Sequence, residues 1–162
     1  KGINMSKNLS SIALFILTIG FMTFVVFNKE EKTFEAPMVL DENVIWIDFK
    51  DNSQMDIWIR NSEDVFGVQF EFSGAKILNT SGGVFEREGF DTANNERLIL
   101  SFSYEGKSIE PGEYLLTTVD VSYLNGKENV KMINMVLAGS NGNSLDFVYY
   151  DSIYKTTTLR TN

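Results

Sequence analysis

Carboxylates, among them Asp48, Asp56, Glu71, Glu105, Asp120 and Asp146, are plentiful and could carry acid–base chemistry, since a glycosidase needs only two. Several of them alternate with apolar neighbours, which places them on solvated strand faces. Nothing in their spacing marks one as held in an apolar pocket with a raised pKa. With 0 Cys and 0 His in 162 residues, disulfides, Cys/His zinc sites, Ser-His-Asp triads and Cys-His dyads are excluded. Asp51-Asn52 near Asp56, and Asn141 through Asp146, offer hard oxygen ligands for calcium, but neither has the twelve-residue loop spacing. Turn chemistry accounts for the same residues. Ser81-Gly82-Gly83 lacks the lysine and the following helix of a phosphate loop. No catalytic residue, metal or cofactor is therefore expected. Asn79-Thr80-Ser81 fits the N-glycosylation acceptor pattern, which matters only on a eukaryotic secretory route.

Trp46, Trp58 and Arg60 are the candidate binding residues. Parity puts Ile45, Ile47 and Phe49 on one face of a hairpin and Trp46 with Asp48 on the other; Trp58 shares its face with Asp56 and Arg60. Both tryptophans thus lie opposite the expected core. Either the preceding chain, with Phe34, Met38 and Leu40, folds over them, or they form an exposed patch for a protein or a sugar ring. A symmetric hairpin sets Trp46 against Trp58 and Asp48 against Asp56. A two-residue shift sets Lys50 against Asp56 and Trp46 against Arg60, which relieves the repulsion and permits a cation–π contact.

These residues are carried by strands. In Met55 to Phe72, MDIWIRNSEDVFGVQFEF, two alternating runs flank a short acidic break, with Met55, Ile57 and Ile59 on one face and Phe66, Val68, Phe70 and Phe72 on another. Val44–Phe49 precedes them across the turn-rich loop Lys50 to Gln54. Further strands are read at Lys76 to Asn79, Arg97 to Tyr104, Leu115 to Tyr123, Val130 to Leu137 and Leu145 to Tyr150. A single helical turn fits the Gly-rich passage between Ser81 and Phe90. In RLILSFSY, Leu98, Leu100, Phe102 and Tyr104 are expected to be the buried set. The fold class is all-β: an eight- or nine-stranded jelly-roll β-sandwich over 44–154, with a polar tail at 155–162. The domain is expected to fold alone, without metal or disulfide.

Ahead of the domain, no residue between Lys7 and Lys29 is charged, and IALFILTIGFMTFVVF is long enough to cross a bilayer. No small-x-small cleavage site follows, so 8–28 is read as an uncleaved transmembrane helix rather than a signal peptide. Ile12, Phe15, Ile16, Ile19, Phe21, Phe24 and Phe27 would face lipid. Residues 1–7 form a short N-terminal segment, in which Met5 has the character of an initiator, and 29–43 form an extended tether. Lys7 balances Lys29 and Lys32, so orientation rests on signal-anchor logic, with the domain extracytoplasmic or, in a virion, between membrane and shell. The formal net charge of -8 argues against a nucleic-acid partner.

From about 44 to 151 the chain resembles the cohesin-like family, nine-stranded jelly-roll sandwiches related to carbohydrate-binding modules. The resemblance lies in the order of events: VIWIDFKDNSQ, then MDIWIRNSEDVFGVQFEF with Gly67 entering the third strand, then AKILNTSGGVFEREGF, RLILSFSY and the Pro-Gly turn of IEPGEYLLTTVDV. It implies a binding module; such domains bind dockerins in cellulosomes, though no dockerin or cell-wall repeat accompanies this one. Two functions follow as expectations. The first is a non-enzymatic, membrane-anchored structural protein, packed with other proteins into a cell-envelope assembly or a minor capsid position of a large membrane-containing virus. The alternative is a membrane-anchored adhesion, carbohydrate-binding or cohesin-type module.

Overall fold

In the computed structural model, residues 43–153 and 156–161 are described, with 156–158 as backbone. They lie in one compact unit, Pro37–Asn162. The expected membrane helix at 8–28, with its lipid-facing residues, and the tether up to 42 lie outside the described residues. Among the described residues no helix is long and apolar enough to cross a membrane.

Among the described residues, ten strands make two sheets. The larger, in the order β10-β9-β1-β2-β7-β4, is formed by β1 (Val44–Phe49), β2 (Gln54–Asn61), β4 (Ala75–Ser81), β7 (Gly112–Tyr123), β9 (Val148–Asp151) and β10 (Thr156–Arg160). The smaller, β5-β6-β3-β8, holds β3 (Gly67–Ser73), β5 (Asp91–Asn94), β6 (Leu98–Phe102) and β8 (Lys131–Ala138). One five-residue helix, α1 (Gly83–Arg87), lies between β4 and β5. All pairings are antiparallel except β1 with β9. This is a two-sheet β-sandwich, with the core where the inner faces meet.

The alternation of the first three strands places that core. Ile45, Ile47, Met55, Ile57, Ile59, Val68, Phe70 and Phe72 are all buried in it. At the β1–β2 turn, the Asp51 carboxylate accepts hydrogen bonds from the backbone N–H groups of Ser53 and Gln54 and from the Ser53 hydroxyl. These bonds, the Ser53 N–H first, hold the Asp51 pKa below its ordinary value. The turn contribution is therefore present above the unfolded pKa and lost as pH falls through the lower folded one. In β7 a bulge against β2 makes Leu116 the buried residue rather than Leu115. Helix α1 rests on that bulge. A Cβ on Gly83, which has φ +71°, would stand 2.2 Å from the Leu116 carbonyl oxygen, so only glycine fits there.

Two strands are not among those read from the sequence. DTAN (β5) has every side chain exposed and pairs through backbone with β6. The residues read as a polar tail form β10 instead, whose Leu159 packs on the core. Thr161 closes this end: its buried hydroxyl accepts from the Phe147 N–H at 2.7 Å and donates to the Leu145 carbonyl at 2.7 Å. Thr161→Val keeps the shape and removes both bonds. A loss of about 1–3 kcal/mol is expected, with faster hydrogen exchange at the Phe147 amide. An unchanged exchange rate there would show that β10 does not depend on this anchor.

Candidate interaction surfaces

The outward face of the larger sheet carries the tryptophans. The hairpin takes the symmetric register, Trp46 opposite Trp58 and Asp48 opposite Asp56. The two indoles stack at 6.0 Å between centroids and 10° between planes. The like-charge pair does not force a shift, because Lys50 reaches Asp56 diagonally at 3.0 Å and Thr118 donates to the same carboxylate at 2.7 Å. Hydrogen bonding to Asp56, more than any other influence, raises the Lys50 pKa. The pair therefore supports the fold below the ordinary lysine value and is lost as pH rises through the raised one. Arg60 stands opposite Val44 and pairs with Glu113 at 2.7 Å.

Of the two alternatives for the tryptophans, the burial of these side chains favours the covered one. Trp46 is 1% exposed, and the Trp58 ring nitrogen is out of contact with solvent. The row that contains them runs Tyr150, Trp46, Trp58, Leu115 across four strands. This is too large an apolar stripe to stand bare.

Exposed apolar side chains occur instead on the smaller sheet, through a correction. In β6 the buried residues are Ile99 and Ser101, with Ser101 hydrogen-bonded to Thr92. Leu98, Leu100 and Phe102 project outward, the reverse of the expected phase. The partner strand decides it: Ile99 pairs with Phe70 and Ser101 with Val68, both core residues, and cross-strand partners share a face. The outer surface thus has Ala93, Leu100, Gln69 and Val136 in one row and Asp91, Phe102, Gly67 and Ala138 in the next. Leu100 is 36% exposed, Val136 43% and Ile133, at the β8 bulge, 44%. Beyond the strand Tyr104, 79% exposed, meets Phe102 edge to face at 4.6 Å. The sequence signal was present in RLILSFSY, whose more apolar phase was credited to the wrong side.

The remaining candidates are accounted for by local bonding. Glu71 pairs with Arg97, Glu105 with Lys107 and Asp146 with Arg160, and Asp120 accepts from Gln54. Asp48 and Asp56 are brought opposite each other, but Asp56 is bonded to Lys50 and Thr118. Among the described residues no three acidic side chains group to hold a metal ion. Asn141 is spent on a turn, with φ 62°. Melting with and without chelator is accordingly expected to coincide; a large loss in chelator would return calcium to the Asp51 or Asn141–Asp146 loops. Asn79 is exposed on the edge strand β4, next to a bulge.

The fold and its surfaces define an all-β sandwich with one sealed and one open sheet face. No protein-family model and no curated protein matches the sequence. Among solved structures the chain is similar to a non-cellulosomal cohesin from the hyperthermophilic archaeon Archaeoglobus fulgidus, at a TM-score of 0.46 and 13% identity, covering 67% of this chain and 86% of that one.

Proposed function

We propose that this protein is a non-enzymatic docking module whose binding surface is the outer face of the β5-β6-β3-β8 sheet, held to a membrane by residues 8–28 and packed into a larger protein assembly. The observation that carries the reading is β6, which places Ser101 in the core and turns Leu98, Leu100 and Phe102 outward. Putting a serine inside and leucines outside costs folding stability. That arrangement is explained if the outer residues are buried against a partner. The surface also has the composition of an interface: a prominent tyrosine braced by a phenylalanine, aliphatic neighbours, and a rim formed by the Glu71–Arg97 pair and Asp91. Absence of catalytic chemistry, membrane attachment and a place in an envelope or virion are parts of the same proposal, supported by the 0 Cys, the 0 His and the uncharged apolar segment.

The test uses full-length Leu100→Asp and Tyr104→Ala, scored for melting temperature and for co-sedimentation with the native assembly. Both side chains are exposed, so melts are expected to move little, while interface anchors typically cost more than about 1 kcal/mol on truncation and incorporation should fall severalfold. Full incorporation of both variants would remove this face from the proposal. Binding of the domain to a glycan array, undiminished by either change, would favour the adhesion alternative.

A further inference from the structure

Hydroxyl side chains gather at one edge of the sandwich, on the inner faces of both sheets. There β4 and β5 are the outermost strands of their sheets. On the smaller sheet Leu137, Val68, Ser101 and Thr92 form one inward row, which passes from core residues to hydroxyls as it reaches β5. On the larger, Thr80 stands opposite Val119 and Thr117 opposite Ile57, so both share the inner face of those core residues. Thr92 is directed inward yet exposed, because the sandwich is open at this edge. The opening is a cavity of about 230 Å³, lined by these three threonines and by Phe85 and Phe90, whose rings stack at 5.9 Å.

Two of the hydroxyls are already held. Thr92 shares a hydrogen bond of 2.7 Å with Ser101, which is fully buried, and Thr117, also buried, donates to the Ser81 carbonyl at 3.1 Å. Thr117 thereby keeps its lone pairs for a donor in the cavity. Valine has nearly the shape of threonine and would seal the edge without a polar group to desolvate, so hydroxyls on both sheets suit a polar occupant. The charge is one-sided: Glu86 lines the cavity, its carboxylate accepting from the Gly82 N–H at 2.7 Å, and among the described residues no Lys or Arg does. An anion finds no partner there. A sugar does, since its hydroxyls both donate and accept and its C–H face can lie on the phenyl rings. The volume falls below the roughly 300–1,000 Å³ of drug-sized sites, which leaves room for a single ring.

We infer that this cleft binds one residue of a neutral carbohydrate, with Thr80, Thr92 and Thr117 bonding to its hydroxyls. It lies at the sheet edges, not on the outer face that carries Leu100 and Val136, so the inference does not rest on the docking surface.

The full-length protein, in a detergent without a sugar headgroup, is titrated with the methyl glycosides of glucose, galactose, mannose and N-acetylglucosamine and read by saturation-transfer NMR. Transfer to the ring protons of at least one is expected. Thr80→Val, at the half-exposed rim, and Thr92→Val should each weaken that binding severalfold with little change in melting temperature. Because Thr92→Val also strands the Ser101 hydroxyl, Thr80→Val is the variant that tests bonding to the sugar alone. Methyl glucuronide, which adds a carboxylate, should bind more weakly than the neutral probe that binds best. No transfer from any of the four neutral probes, unweakened binding in a folded Thr80→Val variant, or a preference for the glucuronide overturns the inference.

Discussion

Trp46→Ala is expected to lower domain stability by about 3–5 kcal/mol, the usual range for truncating a buried tryptophan. At a few degrees per kcal/mol for a domain of this size, the melt should fall on the order of 10 °C or more. The indole is buried on an outward face, so its loss removes both the stack with Trp58 and the contact with whatever lies above. Trp58→Ala should cost less, because Trp58 is only partly buried and its truncation removes less apolar contact. The ordering is the informative part. Calorimetric melts of the two single variants and the double variant measure it, and the stack itself appears as a coupling between them. Equal, small shifts for both would mean that neither ring is buried in solution and would restore the exposed patch.

How far the fold could be read from sequence depended on which strands pay for their place with side chains. The β1–β2 hairpin was legible because Ile45, Ile47, Met55, Ile57 and Ile59 leave no choice of inner face, and because Asp51 is a turn residue with a specific bonding role. Strand β6 was legible as a strand but not in phase: both sides of RLILSFSY contain large apolar residues, and only the pairing of Ile99 with Phe70 selects the inner one. Strands β5 and β10 were invisible. DTAN and TTTLR have no apolar alternation and are drawn in by backbone bonds to β6 and β9, a long-range effect that local pattern cannot carry. The tryptophans fell between these cases. Parity placed them on the outer face correctly, but whether that face is wet depends on chain elsewhere. The candidate site shifted sheets for the same reason: exposure is a property of the whole packing, and the residues left bare, Leu100, Val136 and Tyr104, look like core residues in isolation.

Asn61→Asp should be among the most damaging single-atom changes available to the domain. Asn61 ends β2 opposite Gly112 and is 4% exposed. Its amide nitrogen lies within hydrogen-bond reach of three carbonyl oxygens, those of Glu63 at 2.8 Å, Ile109 at 3.2 Å and Glu110 at 2.9 Å. It thereby ties the β2–β3 turn to the approach of β7, next to the bridge between Val65 and Ile109. The amide oxygen is buried with no donor among the described residues. A carboxylate there would set an anionic oxygen against three carbonyls and another where nothing can solvate it. Removing one partner of a buried charged pair costs about 3–5 kcal/mol, and an unpaired buried charge of this kind should cost a similar amount at neutral pH. Asn61→Ala only abandons the hydrogen bonds, at about 1–3 kcal/mol, and Ile109 keeps its bond from the Val65 N–H. The pH dependence separates the two variants. Burial among carbonyls favours the protonated acid, which can donate, so the introduced carboxyl should have a folded pKa above its unfolded one. The penalty of Asn61→Asp relative to Asn61→Ala is then smallest below the unfolded pKa and grows as pH rises through the folded value. Denaturant titrations of both variants across the acid-to-neutral range measure this difference, and a gap that stays constant with pH, or an aspartate no worse than alanine at neutral pH, would show that the three carbonyls do not converge on this side chain.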